Sequence, residues 1–310
     1  MSNGCLCCTL RGDLIGALSR LAERKDKYDY ILIETTGLAL PGPIVQTFYL
    51  DENVREQFYL DGIVTMVDAK HILQHLDKHH HHDEKDKHHG ENKEKKHEEE
   101  DDEEEENEAE DQIAFADRII INKIDVVSSE AKAKVLKKIR KINGLAPIIE
   151  TINAKIEDLR FLIDIRAFDI DRVLTMDPKL LNEMSEEEHK EEHKEGHKEE
   201  HHHHDHHGHG QHDSEVTSFA IVRKGLIDKD LFEDWLLDLL TEQGLDIYRT
   251  KGILDIGDAK PLVVQAVHSL LDMRLFGEWK SSDRTNKIVF IGKYLNKEEL
   301  VEGFESCIRQ

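Results

Sequence analysis

Two kinds of apolar pattern run along this chain: stretches with helical spacing, and short continuous runs that stop at polar residues. Leu10, Leu14, Ala17, Leu18 and Leu21 recur at helical spacing and predict an amphipathic helix near the start. Tyr30-Ile31-Leu32-Ile33 is closed by Glu34-Thr35-Thr36-Gly37, which predicts a buried strand with a polar loop at its C-terminal end. Residues 62–67, stopping at Asp68, and 118–121, closed by Asn122, repeat that form, and Pro147-Ile148-Ile149 adds a fourth strand. Residues 129–142 put Val135, Ile139 and Ile142 on one helical face behind a serine cap. Short buried strands alternating with helices predict a parallel α/β sheet that binds its ligands beyond the carboxyl edge.

From residue 216 onward the pattern changes. Strands are predicted at 217–222, 247–256, 262–268 and 287–291. A helix capped by Asp228 turns Leu231, Phe232, Trp235, Leu236, Leu239 and Leu240 inward and ends at Gly244. Asn296 caps a last helix, with Glu299 three residues on. This β-α-β-β-β-α order predicts a small α+β domain with helices layered on a mostly antiparallel sheet. The expected organisation is a first domain over 1–167, a linker over 168–215 and a second domain over 216–310.

Charge changes the picture only in two places. Of the net charge of −24, residues 77–111 contribute −12 (18 acidic, six basic) and residues 183–215 contribute −9 (12 acidic, three basic). Both tracts lack the apolar content to offset ordering entropy, so they are expected to be disordered: one an insertion in the first domain, the other part of the linker. The remainder is close to neutral. No basic face stands out, which argues against nucleic-acid binding. No apolar run approaches the roughly 18 residues of a membrane span, and the first residues lack a secretory signal. Three of the four cysteines are crowded together, unlike a disulfide framework, so a reducing compartment, cytosol or nucleus, is expected.

Two clusters carry chemistry. Asn122-Lys123-Ile124-Asp125 ends an apolar strand. In such a run the aspartate carboxylate can accept hydrogen bonds from N1 and N2 of guanine, the lysine stem can lie against the base, and the asparagine can tie the loop. Adenine offers no matching donor pair. Glu34, ending another apolar run, can hold Mg²⁺ through a water, and Gly37 can bring its N–H to a γ-phosphate. The phosphate-binding run Gly-x-x-x-x-Gly-Lys-Ser/Thr is absent from the 310 residues, which on their own are expected not to hydrolyse GTP efficiently.

The second cluster is Gly4-Cys5-Leu6-Cys7-Cys8. Its three thiols can bind one tetrahedral ion and leave a fourth position open, as a metal donor requires; thiolates favour Zn²⁺ or Cu(I) over Mg²⁺. In an extended chain Cys8 would face away from Cys5 and Cys7, so a bend at Gly4 is expected. A Cys5–Cys8 redox pair, or inert buried cysteines, is the alternative. Cys307 reads as core. Eighteen of the 21 histidines lie in the acidic tracts, where weak metal buffering and an incidental spacer are the two readings. His268 reads as a satisfied, part-buried strand residue, with a ligand role as the alternative.

Residues 4–14, Gly4-Cys5-Leu6-Cys7-Cys8-Thr9-Leu10-Arg11-Gly12-Asp13-Leu14, resemble the cysteine segment of the CobW-like GTPases, relatives of the HypB and UreG metallochaperones. Glu34-Thr35-Thr36-Gly37-Leu38-Ala39 resembles their Walker-B and switch-II region, and Asn122-Lys123-Ile124-Asp125 their guanine motif. Gln265-Ala266-Val267-His268 and Val289-Phe290-Ile291-Gly292 resemble their C-terminal domain. The resemblance implies a P-loop-type GTPase sheet that is incomplete as given, the family's first strand, phosphate loop and switch I falling before Met1, followed by a CobW C-terminal domain. It implies GTP, Mg²⁺ and Zn²⁺ as ligands, and GTP-driven transfer of zinc from Cys5, Cys7 and Cys8 to a client such as methionine aminopeptidase. Two rivals remain: a non-catalytic zinc-buffering protein and a nickel or cobalt insertase. Under the first reading the base pocket and the thiol cluster share one sheet edge.

Overall fold

The computed structural model describes residues 4–37, 39–76, 107–167, 216–279 and 284–309, with side chains from residue 11 onward except at position 25. Helices α1 (Gly4–Ala22), α2 (Gly42–Leu50) and α3 (Glu52–Gln57) precede strand β1 (Val64–Asp68) and the short helix α4 (Ile72–Leu76). Helix α5 (Glu108–Phe115), β2 (Arg118–Asn122), α6 (Ser129–Ile142) and β3 (Ile148–Glu150) complete the N-terminal domain. Its sheet is parallel, in the order β1-β2-β3. Ile119, Ile120 and Ile121 of the central strand are almost wholly buried. Each contributes about 1.5–3 kcal/mol of apolar burial, which is why this strand reads as an unbroken run.

Three departures from the sequence pattern have physical reasons. Residues 30–33 join no ladder among the described residues, and Tyr30 and Leu32 are exposed, Leu32 at 95%. An apolar run becomes a strand only where a neighbour satisfies its backbone groups. Helix α2 begins within Pro41-Gly42-Pro43, a string that looks like a breaker, because proline is tolerated in a first helical turn. The first acidic tract stops short of 111. Asn107 caps α5, and Glu110 and Asp111 are buried in it. Most of that tract, and all of the second, lie outside the described residues.

The C-terminal domain runs β4 (Val216–Arg223), α7 (Lys229–Glu242), β5 (Ile247–Leu254), β6 (Leu262–Val267), β7 (Leu270–Leu275), β8 (Asn286–Lys293) and α8 (Lys297–Ser306). All ladders are antiparallel, in the order β4-β8-β5-β6-β7. Strand β7 was not expected. It follows β6 through a tight turn at His268, whose φ of 49° supplies the left-handed conformation that glycine or asparagine would have advertised. Leu231 also departs from expectation: it points outward, while Phe232, Leu236 and Leu240 of α7 are buried.

Alternation along β8 divides the core between two layers. Ile288 and Phe290 join Phe232, Leu236 and Phe304 beneath α7 and α8, where Cys307 is also buried as expected. Val289 and Ile291 join Phe115, Ile139 and Ile142 of the N-terminal domain. Helices α5 and α6 thus fill the space between the two sheets. Asn143 locks them together: its Nδ2 donates to the carbonyls of Ile113, Ala114 and Ala116, and its Oδ1 accepts from Leu145 and Ala146 N–H.

A bulge in β5 shapes the polar part of this interface. Ile247 pairs with Gly292 and Arg249 with Ile291, leaving Tyr248 as the extra residue. Consecutive side chains can therefore both address α5 and its C-terminal end. Tyr248 Oη donates to Asp111 at 2.7 Å, and Arg249 pairs with Asp117 at 2.5 Å while donating to the Phe115 carbonyl. His268 packs tilted against Phe115 and edge-on to Tyr248, with Nδ1 2.9 Å from the Gly244 carbonyl. Burial pushes its pKa down. It is a satisfied buried histidine, placed in the turn after β6 instead of within the strand. A Cβ at Gly42 would come 2.8 Å from His268 Nε2, so α2 can approach the C-terminal domain only with glycine there.

Lys251 donates to the Ala167 carbonyl and faces Asp117 at 3.9 Å. Burial pushes its pKa down to about 7 from 10.5, reinforced by Arg249 and opposed by Asp117. Between those values the unfolded chain holds a proton that the folded chain does not, so this group makes stability rise as pH increases through the window. Lys251→Met is expected to flatten the dependence of melting temperature on pH across it. A slope matching that of the unaltered chain would mean the lysine is charged in the interface.

Candidate functional site

The carboxyl edge of the parallel sheet gathers the polar strand ends. In the β1–β2 ladder the last register pair is Asp68 with Asn122, and Ile121 opposes Glu150 in β3. Asp68, Asn122 and Thr151 are therefore neighbours by topology. Asn122 Oδ1 accepts from Thr151 Oγ1 at 3.1 Å and from Ala154 N–H at 2.9 Å, which ties the β2 loop to the β3 loop. Asn153 and Ala154 both have φ near +53°.

Lys123 takes a left-handed conformation with φ 64° and ψ 34°, unusual for a residue with a Cβ. Its Nζ lies 2.8 Å from Asp68 Oδ2. The same oxygen lies 2.9 Å from His71 Nδ1, and Asp68 Oδ1 accepts from Lys70 N–H at 2.9 Å. Partial burial opposes ionisation of Asp68, but the donors Lys123 and His71 overcome it and hold its carboxyl well below the usual range. Asp125 stands exposed in a single 3₁₀ turn over Ile124–Val126. Asn122, Lys123 and Asp125 are thus on one edge, with two side chains fixed and the carboxylate open to solvent.

Glu34 and Gly37 occupy the exposed segment that forms no ladder with β1. The turn after Glu34 is nevertheless anchored: Gln112 Nε2 on α5 donates to the carbonyls of Gly37 and Ala39 at 2.9 and 3.0 Å. Sequence reading passed over Gln112, Thr151 and the 153–154 turn. The signal available for Asp68 was its position, a polar residue closing an apolar strand as Asn122 does.

Cys5, Cys7 and Cys8 fall within the first turn and a half of α1 instead of an extended segment before it. The helix starts at Gly4, so the bend expected there is replaced by helical winding. Leu14, Ile15 and Leu18 seat α1 against Phe48, Val54 and Phe58 of the α2–α3 region. Among the residues whose side chains are described, no group of three or more histidine, cysteine or acidic residues can hold a metal ion; the three thiols are not among them. No helix of the described residues is long and apolar enough to cross a membrane.

Comparison with known proteins agrees with this architecture. Residues 1–150 match the family profile described as CobW/HypB/UreG, nucleotide-binding domain, and residues 216–308 that of the cobalamin synthesis protein cobW C-terminal domain. The chain is 31% identical to zinc-regulated GTPase metalloprotein activator 1 of Saccharomyces cerevisiae, over 97% of this chain and 68% of that protein. It is 29% identical to the protein of the same name in Schizosaccharomyces pombe, over 96% and 68%. Identity to zinc chaperone YjiA of Escherichia coli is 26%, over 98% and 80%. The fold matches the crystal structure of the Zn(II)-bound YjiA GTPase with a TM-score of 0.67 at 24% identity, covering 96% of this chain and 76% of that one.

Proposed function

Because this chain belongs to the CobW/HypB/UreG family of nucleotide-binding proteins, we propose that it is a GTP-dependent zinc metallochaperone. Asn122, Lys123 and Asp125 read the guanine base. Cys5, Cys7 and Cys8 carry Zn²⁺ as cargo, and GTP hydrolysis drives its transfer to a client metalloenzyme such as methionine aminopeptidase, in cytosol or nucleus. Glu34 holds Mg²⁺ through a water, and Gly37 reports the γ-phosphate. The observation that supports this reading most is the Asn122 bridge to Thr151 and Ala154, which orders the loop after β2 at the sheet edge where α/β folds bind ligands. Names given to relatives as zinc chaperones and zinc-regulated activators support the metal half.

A second reading is zinc binding without catalysis. A GTP titration of the chain as given, and of a form extended upstream, separates the two. Turnover in the extended form supports the chaperone; neither binding nor turnover in either form leaves zinc binding alone. On both readings the triple change Cys5→Ser, Cys7→Ser, Cys8→Ser is expected to weaken zinc binding by two orders of magnitude or more, since even an outer-shell partner of a metal ligand is worth about 10–100-fold. Competition against a chromophoric chelator measures it. Unchanged zinc affinity would remove these thiols from the metal site, and tighter nickel than zinc binding would make the cargo nickel.

A further inference from the structure

From the Asp68–Lys123 geometry we infer that Asp68 is a positioning residue for guanine recognition, holding the Lys123 side chain along the carboxyl edge so that its stem forms a wall of the base pocket. The inference rests on the base-reading role given above to Asn122, Lys123 and Asp125. The lysine backbone occupies a left-handed conformation that a Cβ disfavours by roughly 1–2 kcal/mol, and its ammonium ends 2.8 Å from Asp68 Oδ2. Strain of this kind persists only where surrounding contacts over-determine it. Here the contacts are identifiable. The Ala69 N–H donates to the Asn122 carbonyl at 3.0 Å, and the Ile124 N–H reaches the Thr151 carbonyl, so the backbone on both sides of Lys123 is pinned.

Asp68 is held from its own side as well. His71 Nδ1 and the Lys70 N–H engage its two oxygens, so the carboxylate cannot swing away from the lysine without losing both. With three donors already on it, this carboxylate is not an open ligand for Mg²⁺. What it offers is a fixed negative point that places a long, flexible side chain. Lysine left free would lose about 2 kcal/mol of rotamer entropy on meeting a base. An arrangement formed beforehand avoids much of that loss.

The test is a double-substitution cycle on the full chain with GDP as the probe, read from backbone amide shifts at 122–125 and 151–154, with ADP as the control. Asp68→Asn keeps size and hydrogen bonding but removes the charge; it is expected to weaken GDP binding about three- to tenfold, as loss of a partly exposed charge-assisted contact does. Lys123→Met is expected to weaken binding by at least as much. In the Lys123→Met background Asp68→Asn should then cost nothing further, because it acts only through the lysine. Additive losses, or a loss that tracks the melting temperature, would give Asp68 a merely structural role and overturn the inference. An unchanged GDP affinity in Asp68→Asn overturns it too, leaving base reading intact. No response to GDP from either the unaltered chain or its form extended upstream would bring down base reading and the inference together.

Discussion

Asp117→Ala is expected to destabilise the chain by about 3–5 kcal/mol and to loosen the C-terminal domain from the N-terminal one. The Asp117 side chain is 3% exposed, and one oxygen faces Arg249 at 2.5 Å and Lys251 at 3.9 Å. Its other oxygen accepts from Ile63 N–H at 2.9 Å, at the entrance to β1. Removing the carboxylate leaves Arg249, itself 5% exposed, buried beside a second basic side chain, Lys251. The cost of such a change comes mainly from the stranded charge, not from the value of the pair. Pairing the substitution with Arg249→Met is accordingly expected to recover most of the loss. Denaturant unfolding followed by tryptophan fluorescence measures both, since Trp235 and Trp279 lie in the C-terminal domain. A loss below about 1 kcal/mol would mean that the interface tolerates an unpaired arginine, as only a hydrated contact can.

The second large effect is a change of base preference. Asp125→Asn is expected to weaken GDP binding about 10²–10³-fold and to favour XDP instead. A carboxylate presents two acceptors to the N1 and N2 donors of guanine. Asparagine keeps one acceptor and sets an N–H₂ donor against the amino group, a donor facing a donor. Xanthine carries a carbonyl oxygen at that position, so the same N–H₂ finds an acceptor. Sites that pair polar groups reject mismatched bases by up to about 10⁴–10⁵; the exposure of Asp125 puts the expectation lower. Because its side chain stands in solvent, folding should be untouched, and equal unfolding midpoints would establish that the loss belongs to recognition. Competition between GDP and XDP gives the ratio, and an unaltered ratio would detach Asp125 from the base.

The elements that could be read from the chain are those whose burial is complete and whose ends are chemically marked. Strand β2 announces itself through three isoleucines buried on both faces, and α6 through Val135, Ile139 and Ile142 behind a cap at Ser128 that accepts from Ala131 N–H. Asn122, Lys123 and Asp125 were legible for the same reason: they close such a strand. Residues 30–33 look equally apolar, yet strand formation depends on a hydrogen-bonded neighbour, which no local pattern reports. Strand β7 was hidden by its turn, where His268 adopts a backbone conformation its residue type does not suggest. The polar tract reached into α5 on paper because charge alone cannot distinguish a solvated glutamate from Glu110 and Asp111, which are buried.

By itself the amino-acid order determined the class of each domain, the family resemblance and the choice of Asn122, Lys123, Asp125 and the three thiols as candidates, because these depend on periodicity and on side-chain chemistry within a few positions. Tertiary structure alone decided what surrounds them. Strand register set Asp68 on one side of Asn122 and Thr151 on the other, the β5 bulge turned Tyr248 and Arg249 onto α5, and packing drew Gln112 to the Gly37 turn. Each of these joins residues far apart along the chain, and a contact of that kind is formed by the layering of sheets and helices, not by any interval between letters.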